Sequence, residues 1–264
     1  PVDPVLTNLS FAFKNERFLY DQIAPLYRST EKSGRYTIYT RDYWFRRQVG
    51  FVRAPSNTYN RSQFGVESAT YRTFEIGMEE LVDDVTKAAS QTPDALENVA
   101  TEHLTHIMQI ELEKRVAAAA FVTGVWGTSN SLTGTNQWSD FDASNPIGDA
   151  DVAKRTIRRN TGDEPDHLFV GAITWEMLKE HPLILDKYKH TQRGILTEEL
   201  VAAALGIQTL YVMKSIENTA VEVMPGTAAF TGADIWTDNA LFAKVTPAPG
   251  LMVPNGAYTF MWDE

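Results

Sequence analysis

The segment between Asp94 and Thr123 contains neither glycine nor proline, and this uninterrupted run constrains the fold more than any other feature of the sequence. Apolar residues recur along it with a period of 3.6 residues, which is typical of an amphipathic helix. Thr92 is a suitable N-cap, and Pro93 suits the first helical position. The pattern predicts one helix over about residues 92–122, a rod of roughly 45 Å at 1.5 Å per residue.

Shorter elements are predicted after the long helix. A loop rich in glycine, serine, threonine and asparagine covers 123–148 and leads to a second helix. Strands and short helices then alternate, and glycines or prolines end each helix. The predicted elements are a helix at 149–160 ended by Thr161-Gly162, a strand at 168–173, a short helix capped by Thr174 and ending before Pro182, a helix opened by Thr197 and closed by Gly206, a strand at 207–213, and strand-and-turn structure at 221–262.

The first 82 residues are predicted to form an arm and a β-hairpin. Residues 1–32 carry scattered apolar side chains without a sustained period, which indicates an extended arm with one helical turn. Residues 33–82 show alternating side chains on both sides of a polar, turn-rich stretch between Gly50 and Gly65, which indicates a long hairpin. An isolated hairpin is marginally stable in water. We therefore expect both segments to bury their apolar side chains against another molecule.

Charge is unevenly distributed along the chain. The net charge of −10 argues against a protein that binds nucleic acid with its whole surface. Seven arginines and only two acidic residues lie between Arg35 and Arg72, so the rest of the chain is more acidic than the average. This basic segment is either a subunit interface matched to an acidic body or a solvated hairpin. The candidate interface residues are Arg35, Arg41, Trp44, Arg46, Arg47, Arg53, Arg61 and Arg72.

Trp44 lies among three of these arginines and has two interpretations. It could stack on nucleic acid bases, or it could anchor a subunit contact, because Trp, Tyr and Arg dominate protein interfaces. The acidic remainder of the chain favours the subunit contact.

Motifs for catalysis or cofactor binding are missing from the sequence. The chain has no cysteine, which excludes disulfides, thiolate metal ligands and cysteine nucleophiles. It has no phosphate-binding loop, no dinucleotide-binding glycine motif and no Gly-x-Ser-x-Gly elbow. No apolar run is long enough for a transmembrane helix. We therefore predict no catalytic residue, no metal and no cofactor.

Histidines supply the alternative that would contradict this prediction. His103 and His106 lie three residues apart on the long helix, and with Glu111 or Glu102 they could share a metal ion. The metalloprotease pattern requires a four-residue spacing, so one buried and one surface histidine is the favoured interpretation. A soluble α/β metal-dependent hydrolase is the corresponding rival function. A Ser-His-Asp triad that uses His167, His181 or His190 stays open, because triads assemble in space.

The order of segments resembles the major capsid proteins of tailed bacteriophages, whose fold is shared with encapsulin nanocompartments. The resemblance covers nearly the whole chain. In the N-terminal part it is carried by Asn15-Glu16-Arg17-Phe18, Ile23-Ala24-Pro25 and Ser33-Gly34-Arg35-Tyr36. Its most specific stretches are Trp138-Ser139-Asp140, Asn145-Pro146-Ile147, Thr161-Gly162, Val170-Gly171, His181-Pro182, Asp186-Lys187-Tyr188-Lys189 and Leu205-Gly206-Ile207.

The resemblance implies an α+β fold of the tailed-phage major capsid type. Its parts would be an N-terminal arm, an extended β-hairpin loop, a long spine helix, a peripheral domain and an axial domain. The corresponding ranges are the arm at 1–32, the hairpin at 33–82, the peripheral domain at 83–166 with the spine helix at about 92–122, the axial domain at 167–245, and a C-terminal strand region at 246–264 that returns to the peripheral domain.

The resemblance also implies a structural role in the virion. Such subunits assemble in the host cytoplasm, as pentamers and hexamers, into an icosahedral shell around packaged double-stranded DNA, which they contact nonspecifically. Scaffolding, portal and decoration proteins are candidate partners, and no membrane partner is expected. An encapsulin-like compartment shell is the nearest alternative. Some capsid proteins cross-link through a lysine of the hairpin, but no lysine lies between Lys32 and Lys87 here.

Overall fold

A computed structural model describes residues 14–89, 93–122, 124–189, 196–220, 229–248, 250 and 252–263. The fold is α+β. The helices are α1 (Tyr20–Ile23), α2 (Arg41–Trp44), α3 (Asp84–Ala89), α4 (Pro93–Ala120), α5 (Pro146–Thr161), α6 (Ala172–Glu180), α7 (Pro182–Tyr188) and α8 (Glu198–Leu205). The strands are β1 (Leu26–Ser29), β2 (Ser33–Tyr39), β3 (Val66–Arg72), β4 (His167–Gly171), β5 (Thr209–Met213), β6 (Ile216–Asn218), β7 (Gly232–Asp234), β8 (Ala240–Ala243) and β9 (Thr259–Trp262).

The chain divides into two compact units. One comprises Pro1–Pro25 and Gly77–Ala257, and the other comprises Leu26–Ile76 and Tyr258–Glu264. We call them the body and the hairpin unit.

A three-stranded sheet lies at the centre of the body, in the order β5-β4-β8. Strand β4 pairs in parallel with β5 and antiparallel with β8. Leu168, Phe169 and Val170 are all fully buried in β4, because the sheet is covered on both faces. Leu168 and Val170 face the cluster formed with α5 to α8, whereas Phe169 faces the cluster that contains the end of α4.

Helix α4 spans 28 residues, which is roughly 42 Å at 1.5 Å per residue. The predicted long helix is therefore confirmed, although its proposed cap at Thr92 lies outside the described residues. Among the α4 residues whose side chains the structure describes, those that are buried are Glu113, Ala117 and Ala120, which recur at intervals of four and three. This spacing places them on one stripe of the helix, which packs against the sheet.

The described part of the N-terminal arm packs on its own chain. Leu19, Ile23 and Ala24 are 2%, 2% and 6% exposed, and Leu19 and Ile23 join the cluster that contains the end of α4. The single helical turn predicted for the arm is α1. The expectation that the arm needs another molecule for burial is wrong for residues 14–25, because α4 and the sheet already cover their apolar side chains.

The hairpin unit is built from two strand pairs. Strands β2 and β3 pair antiparallel over seven residues, from Ser33 opposite Arg72 to Tyr39 opposite Val66. Strand β9 pairs in parallel with β1. Strand β9 thus belongs to the hairpin unit, where the ring of Phe260 meets aromatic partners. The return of the C-terminal region to the peripheral domain stays a prediction.

Two local expectations are also corrected. The alternation after Arg72 predicted a longer strand, but β3 ends there, and the amide and hydroxyl of Thr73 both donate to Lys32 O. Thr174 was expected to cap α6, but the helix begins three residues earlier, after Gly171. The Thr174 hydroxyl instead donates to the carbonyl oxygen of Asp238 at 2.8 Å.

Candidate assembly interface

The connection between β2 and β3, residues 40–65, is the hairpin tip, and it exposes most of its large apolar side chains. Helix α2 forms its first part, and the amide and hydroxyl of Thr40, which both donate to Gly65 O, close its base. Its exposed apolar and aromatic residues are Tyr43, Trp44, Phe45, Val49, Phe51, Val52, Tyr59 and Phe64. Exposed apolar patches of this kind mark interaction surfaces in soluble proteins.

All eight candidate interface residues predicted from the sequence are exposed. Five of them lie in the tip, together with Trp44 at 57% exposure, while Arg35 and Arg72 lie on the paired strands. Arg46 and Arg53 lie over the rings of Tyr43 and Tyr59, with distances of 5.9 and 4.4 Å from guanidinium carbon to ring centroid.

These contacts hold the side chains in place but leave their charge unpaired. Arg35, Arg46, Arg47, Arg53, Arg61 and Arg72 form no ion pair with any described residue. The tip therefore presents aromatic rings beside arginines 46, 47, 53 and 61, whose charges are not neutralised by any described residue, and this composition is found at the energetic centres of interfaces.

The histidines proposed for a metal site are directed to different partners. His103 Nδ1 lies 2.9 Å from Glu80 Oε2, whereas the His106 ring packs edge-on against Phe18. Glu111 forms an ion pair with the arginine one turn later on α4. Burial lowers the pKa of His106, and the charges of Lys14 and His103 lower it further. Among the described residues, no three histidines or carboxylates lie together as a metal-binding group.

Ser144 and His181 form a buried pair with the appearance of a catalytic dyad, but the hydrogen bonds assign it another role. The two side chains meet at 3.0 Å between Oγ and Nε2. His181 Nδ1 accepts a hydrogen bond from Leu183 N, so the proton of the neutral ring is on Nε2 and is donated to Ser144. The Ser144 hydroxyl donates in turn to Asp140 O at 2.5 Å. In this tautomer His181 cannot take a proton from Ser144.

His181 instead serves as the N-cap of α7. Its ring accepts a hydrogen bond from the Leu183 amide at the start of this helix. Burial lowers the pKa of His181, which keeps the ring neutral. His167 stacks on Tyr211 with centroids 5.8 Å apart and approaches Asp166 through Nδ1, and His190 lies outside the described residues.

A buried carboxylate on α4 is the main polar centre that the sequence analysis missed. Glu113 is fully buried and accepts hydrogen bonds from four groups. Its Oε2 accepts from the amides of Leu19 and Tyr20 at 3.0 and 2.8 Å. Its Oε1 accepts from Ser215 Oγ at 3.1 Å and from the Trp236 indole at 2.6 Å. Burial raises the pKa of Glu113, and these hydrogen bonds oppose the rise.

Comparisons with known proteins give a consistent result. No protein-family model matches the sequence. The major capsid protein of Burkholderia phage BcepMu is 27% identical over 247 residues, which cover 92% of this chain and 76% of that protein. The major capsid protein of Pseudomonas phage JBD67 is 26% identical over 226 residues, which cover 83% of this chain and 71% of that one. The resemblance to phage major capsid proteins is confirmed.

A solved structure supports the fold. The crystal structure of a phage-related protein from Bordetella bronchiseptica RB50 superposes with a TM-score of 0.67 at 21% identity, over 98% of this chain and 83% of that chain. At this identity the superposition shows a shared fold. In addition, none of the described helices is both long enough and apolar enough to cross a membrane.

Segments that suggested capsid relatives from the sequence have identifiable structural roles. The Trp138 indole donates to Asp149 Oδ2 at 2.9 Å, which fixes the preceding loop on α5. Asn145 caps α5 by accepting from Gly148 N, and Gly162 ends the helix in the left-handed conformation with φ of 81°. In these stretches, Trp138, Asn145 and Gly162 position helix α5.

Proposed function

We propose that this chain is a structural, non-enzymatic capsid subunit that assembles with copies of itself, as pentamers and hexamers, into an icosahedral shell around double-stranded DNA. The observation that carries the proposal is the hairpin tip, whose large aromatic side chains are exposed and in which Arg46, Arg47, Arg53 and Arg61 form no ion pair with any described residue. Similarity to two phage major capsid proteins supports the same role.

Charge complementarity favours another copy of the chain as the partner of the tip. The net charge is −10, although residues 35–72 contain seven arginines and two acidic residues, so the surface outside the hairpin is strongly acidic. Opposite charges of this kind steer association and fix its register. DNA contact, by contrast, would depend on backbone charge alone and would carry no sequence preference.

Two finer parts of this proposal come from the resemblance. One is the division into arm, hairpin, peripheral domain, axial domain and C-terminal strand region, which stays a prediction at the boundaries given above. The other is assembly in the host cytoplasm with the virion as the final location. Scaffolding, portal or decoration proteins would be partners of the assembled shell.

Electron microscopy of the purified protein tests the proposal. We expect closed particles from the wild-type chain, and nucleic acid rather than a protein cargo inside particles from phage-producing cells. A monodisperse 29.6 kDa monomer at high concentration would refute it. Protein cargo without nucleic acid would instead support the encapsulin-like alternative.

A charge reversal tests the role of the tip. The double variant R46E/R47E should abolish or strongly reduce particle formation, because it replaces two positive charges by two negative charges opposite an acidic partner surface. The matched control is R155E/R159E, which changes the net charge equally at two exposed positions of α5. Loss of particles in both variants would indicate an effect of net charge, whereas unchanged yield in R46E/R47E would exclude the tip from the interface.

A further inference from the structure

The N-terminal segment Leu19–Ala24 has little intrinsic stability, so its position depends on what holds it. Helix α1 is only four residues long, far below the length at which isolated helices persist in water. Its N-cap residue is Leu19, whose side chain provides no capping hydrogen bond. The first amides of the helix therefore need an acceptor from elsewhere in the fold.

The attachments that precede this segment are exposed. Lys14 pairs with Glu102 at 2.6 Å, with both side chains more than half exposed. Asn15 forms two hydrogen bonds of 3.0 Å with the backbone of Ile216, also at the surface. Exposed polar contacts of this kind contribute little to stability. The contacts that remain to hold the segment are the burial of Leu19 and Ile23 and the hydrogen bonds of its first amides.

Glu113 supplies the missing acceptor from a position 93 residues away in the sequence. Its Oε2 lies within 3.0 Å of both the Leu19 and the Tyr20 amide, as a capping side chain would. No described lysine or arginine pairs with this carboxylate, so hydrogen-bond donors alone satisfy its charge. A hydrogen bond to a charged group is stronger than one between neutral groups.

The carboxylate is oriented independently of the segment that it holds. Ser215 and Trp236 fix Oε1 from the opposite side, and the Trp236 ring is fully buried against the sheet. The acceptor would therefore keep its place if the N-terminal segment departed. Oε1 is thus fixed by Ser215 and Trp236, while Oε2 accepts from the first amides of α1, which has no N-cap side chain of its own.

We propose that Glu113 is a latch for the N-terminal segment: it holds Leu19–Ala24 on the body, and this segment opens as a unit, separately from the central sheet, when the latch is broken. Glu113 is a positioning residue in this device. The proposal does not depend on capsid assembly, and it concerns the isolated chain.

Hydrogen exchange of the full-length chain, measured by mass spectrometry, tests the latch. In E113Q the amides of residues 19–24 should lose protection on the order of tenfold or more, because the segment opens more often. Amides of β4 should stay within about twofold of wild type, because the sheet does not open with the segment. The matched control E111Q, on the exposed side of the same helix, should exchange as wild type does at both places.

A second variant keeps the test specific to hydrogen bonding. A glutamine at position 113 can present its oxygen to only one pair of donors, and its NH₂ group then faces the other pair. In E113Q/W236F the indole donor is gone, so the amide can donate to Ser215 Oγ and offer its oxygen to Leu19 and Tyr20. Protection of residues 19–24 should return toward that of W236F alone.

Three results would count against the latch. Unchanged protection at 19–24 in E113Q would show that other contacts hold the segment. Equal loss at 19–24 and in β4 would show that Glu113 supports the whole body rather than one segment. Failure of W236F to restore protection in the E113Q background would refute the proposed hydrogen-bond geometry.

Discussion

The ring of Phe260 stacks face to face on the ring of Tyr71, with centroids 4.3 Å apart and planes inclined by 6°. Phe260 belongs to β9 near the C-terminus, and Tyr71 belongs to β3 of the hairpin. The rings of Tyr27 and Tyr36 also contact Phe260, each with its centroid 5.5 Å from that of Phe260. The C-terminal strand thus fastens the base of the hairpin through one aromatic side chain and its pairing with β1.

Replacing Phe260 by alanine should destabilise the hairpin unit. Because Phe260 is only partly buried, we expect a loss of about 2 kcal/mol, less than for a fully buried phenylalanine. Hydrogen exchange of β2 and β3 amides would measure it. The control is M261A, whose side chain points to the opposite face of β9 and should cost less than about 0.5 kcal/mol. Equal losses in the two variants would contradict a role for the aromatic stack.

The elements that the sequence predicted well are those with local signals. The absence of glycine and proline defined α4 to within a few residues of its observed ends, Pro93 and Ala120. Gly162 and Gly206 end α5 and α8 with φ of 81° and 68°, which favours glycine over other residues. The antiparallel pairing of β2 with β3 followed from alternation on both sides of one polar loop.

The features that the sequence did not predict are set by distant contacts. Nothing local in β9 indicates that it pairs with β1 rather than elsewhere in the fold. A glutamate within a helix is usually exposed, so the residue type alone does not predict the burial of Glu113. One signal was available, because Glu113 lies four residues before Ala117 on the apolar stripe of α4. The pairing of Ser144 with His181 likewise depends on two segments that meet only in space.

His181 should make the body less stable as the pH falls. Burial lowers the pKa of His181 from its ordinary value of 6.5. The unfolded chain therefore binds the proton more readily, so stability is complete above pH 6.5 and declines as the pH falls toward the lowered pKa. The slope from this one group cannot exceed about 1.4 kcal/mol per pH unit.

Urea unfolding at pH 7.5, 6.5 and 5.5, compared with H181N, measures this contribution. Asparagine preserves an acceptor for Leu183 N at the start of α7 but does not titrate. The difference in unfolding free energy between wild type and H181N should change with pH in favour of the variant as the solution is acidified. A difference that does not change with pH would show that His181 has the same pKa in the folded and unfolded chain, which would contradict this prediction.

Gly171 should not tolerate even a methyl group. A Cβ atom at this position would overlap the backbone carbonyl of Thr237, and a carbonyl in the backbone cannot turn aside as a flexible side chain can. We expect G171A to lose about 3 kcal/mol by thermal or urea unfolding. In the control G127A the added Cβ would meet no atom within 4 Å, so stability should change by less than about 0.5 kcal/mol. Comparable stability of the two variants would contradict this packing.

Alanine variants of two tryptophans, Trp44 and Trp236, should distinguish an effect on assembly from an effect on folding. Trp236 is fully buried, and W236A should cost about 3–5 kcal/mol of subunit stability. Trp44 is 57% exposed, so W44A should change subunit stability by no more than about 0.5 kcal/mol. If the hairpin tip is an interface, W44A should nevertheless reduce particle yield, because an exposed aromatic becomes buried only on assembly. Parallel urea unfolding and electron microscopy would measure both effects, and a W44A subunit that assembles as wild type does would remove Trp44 from the proposed interface.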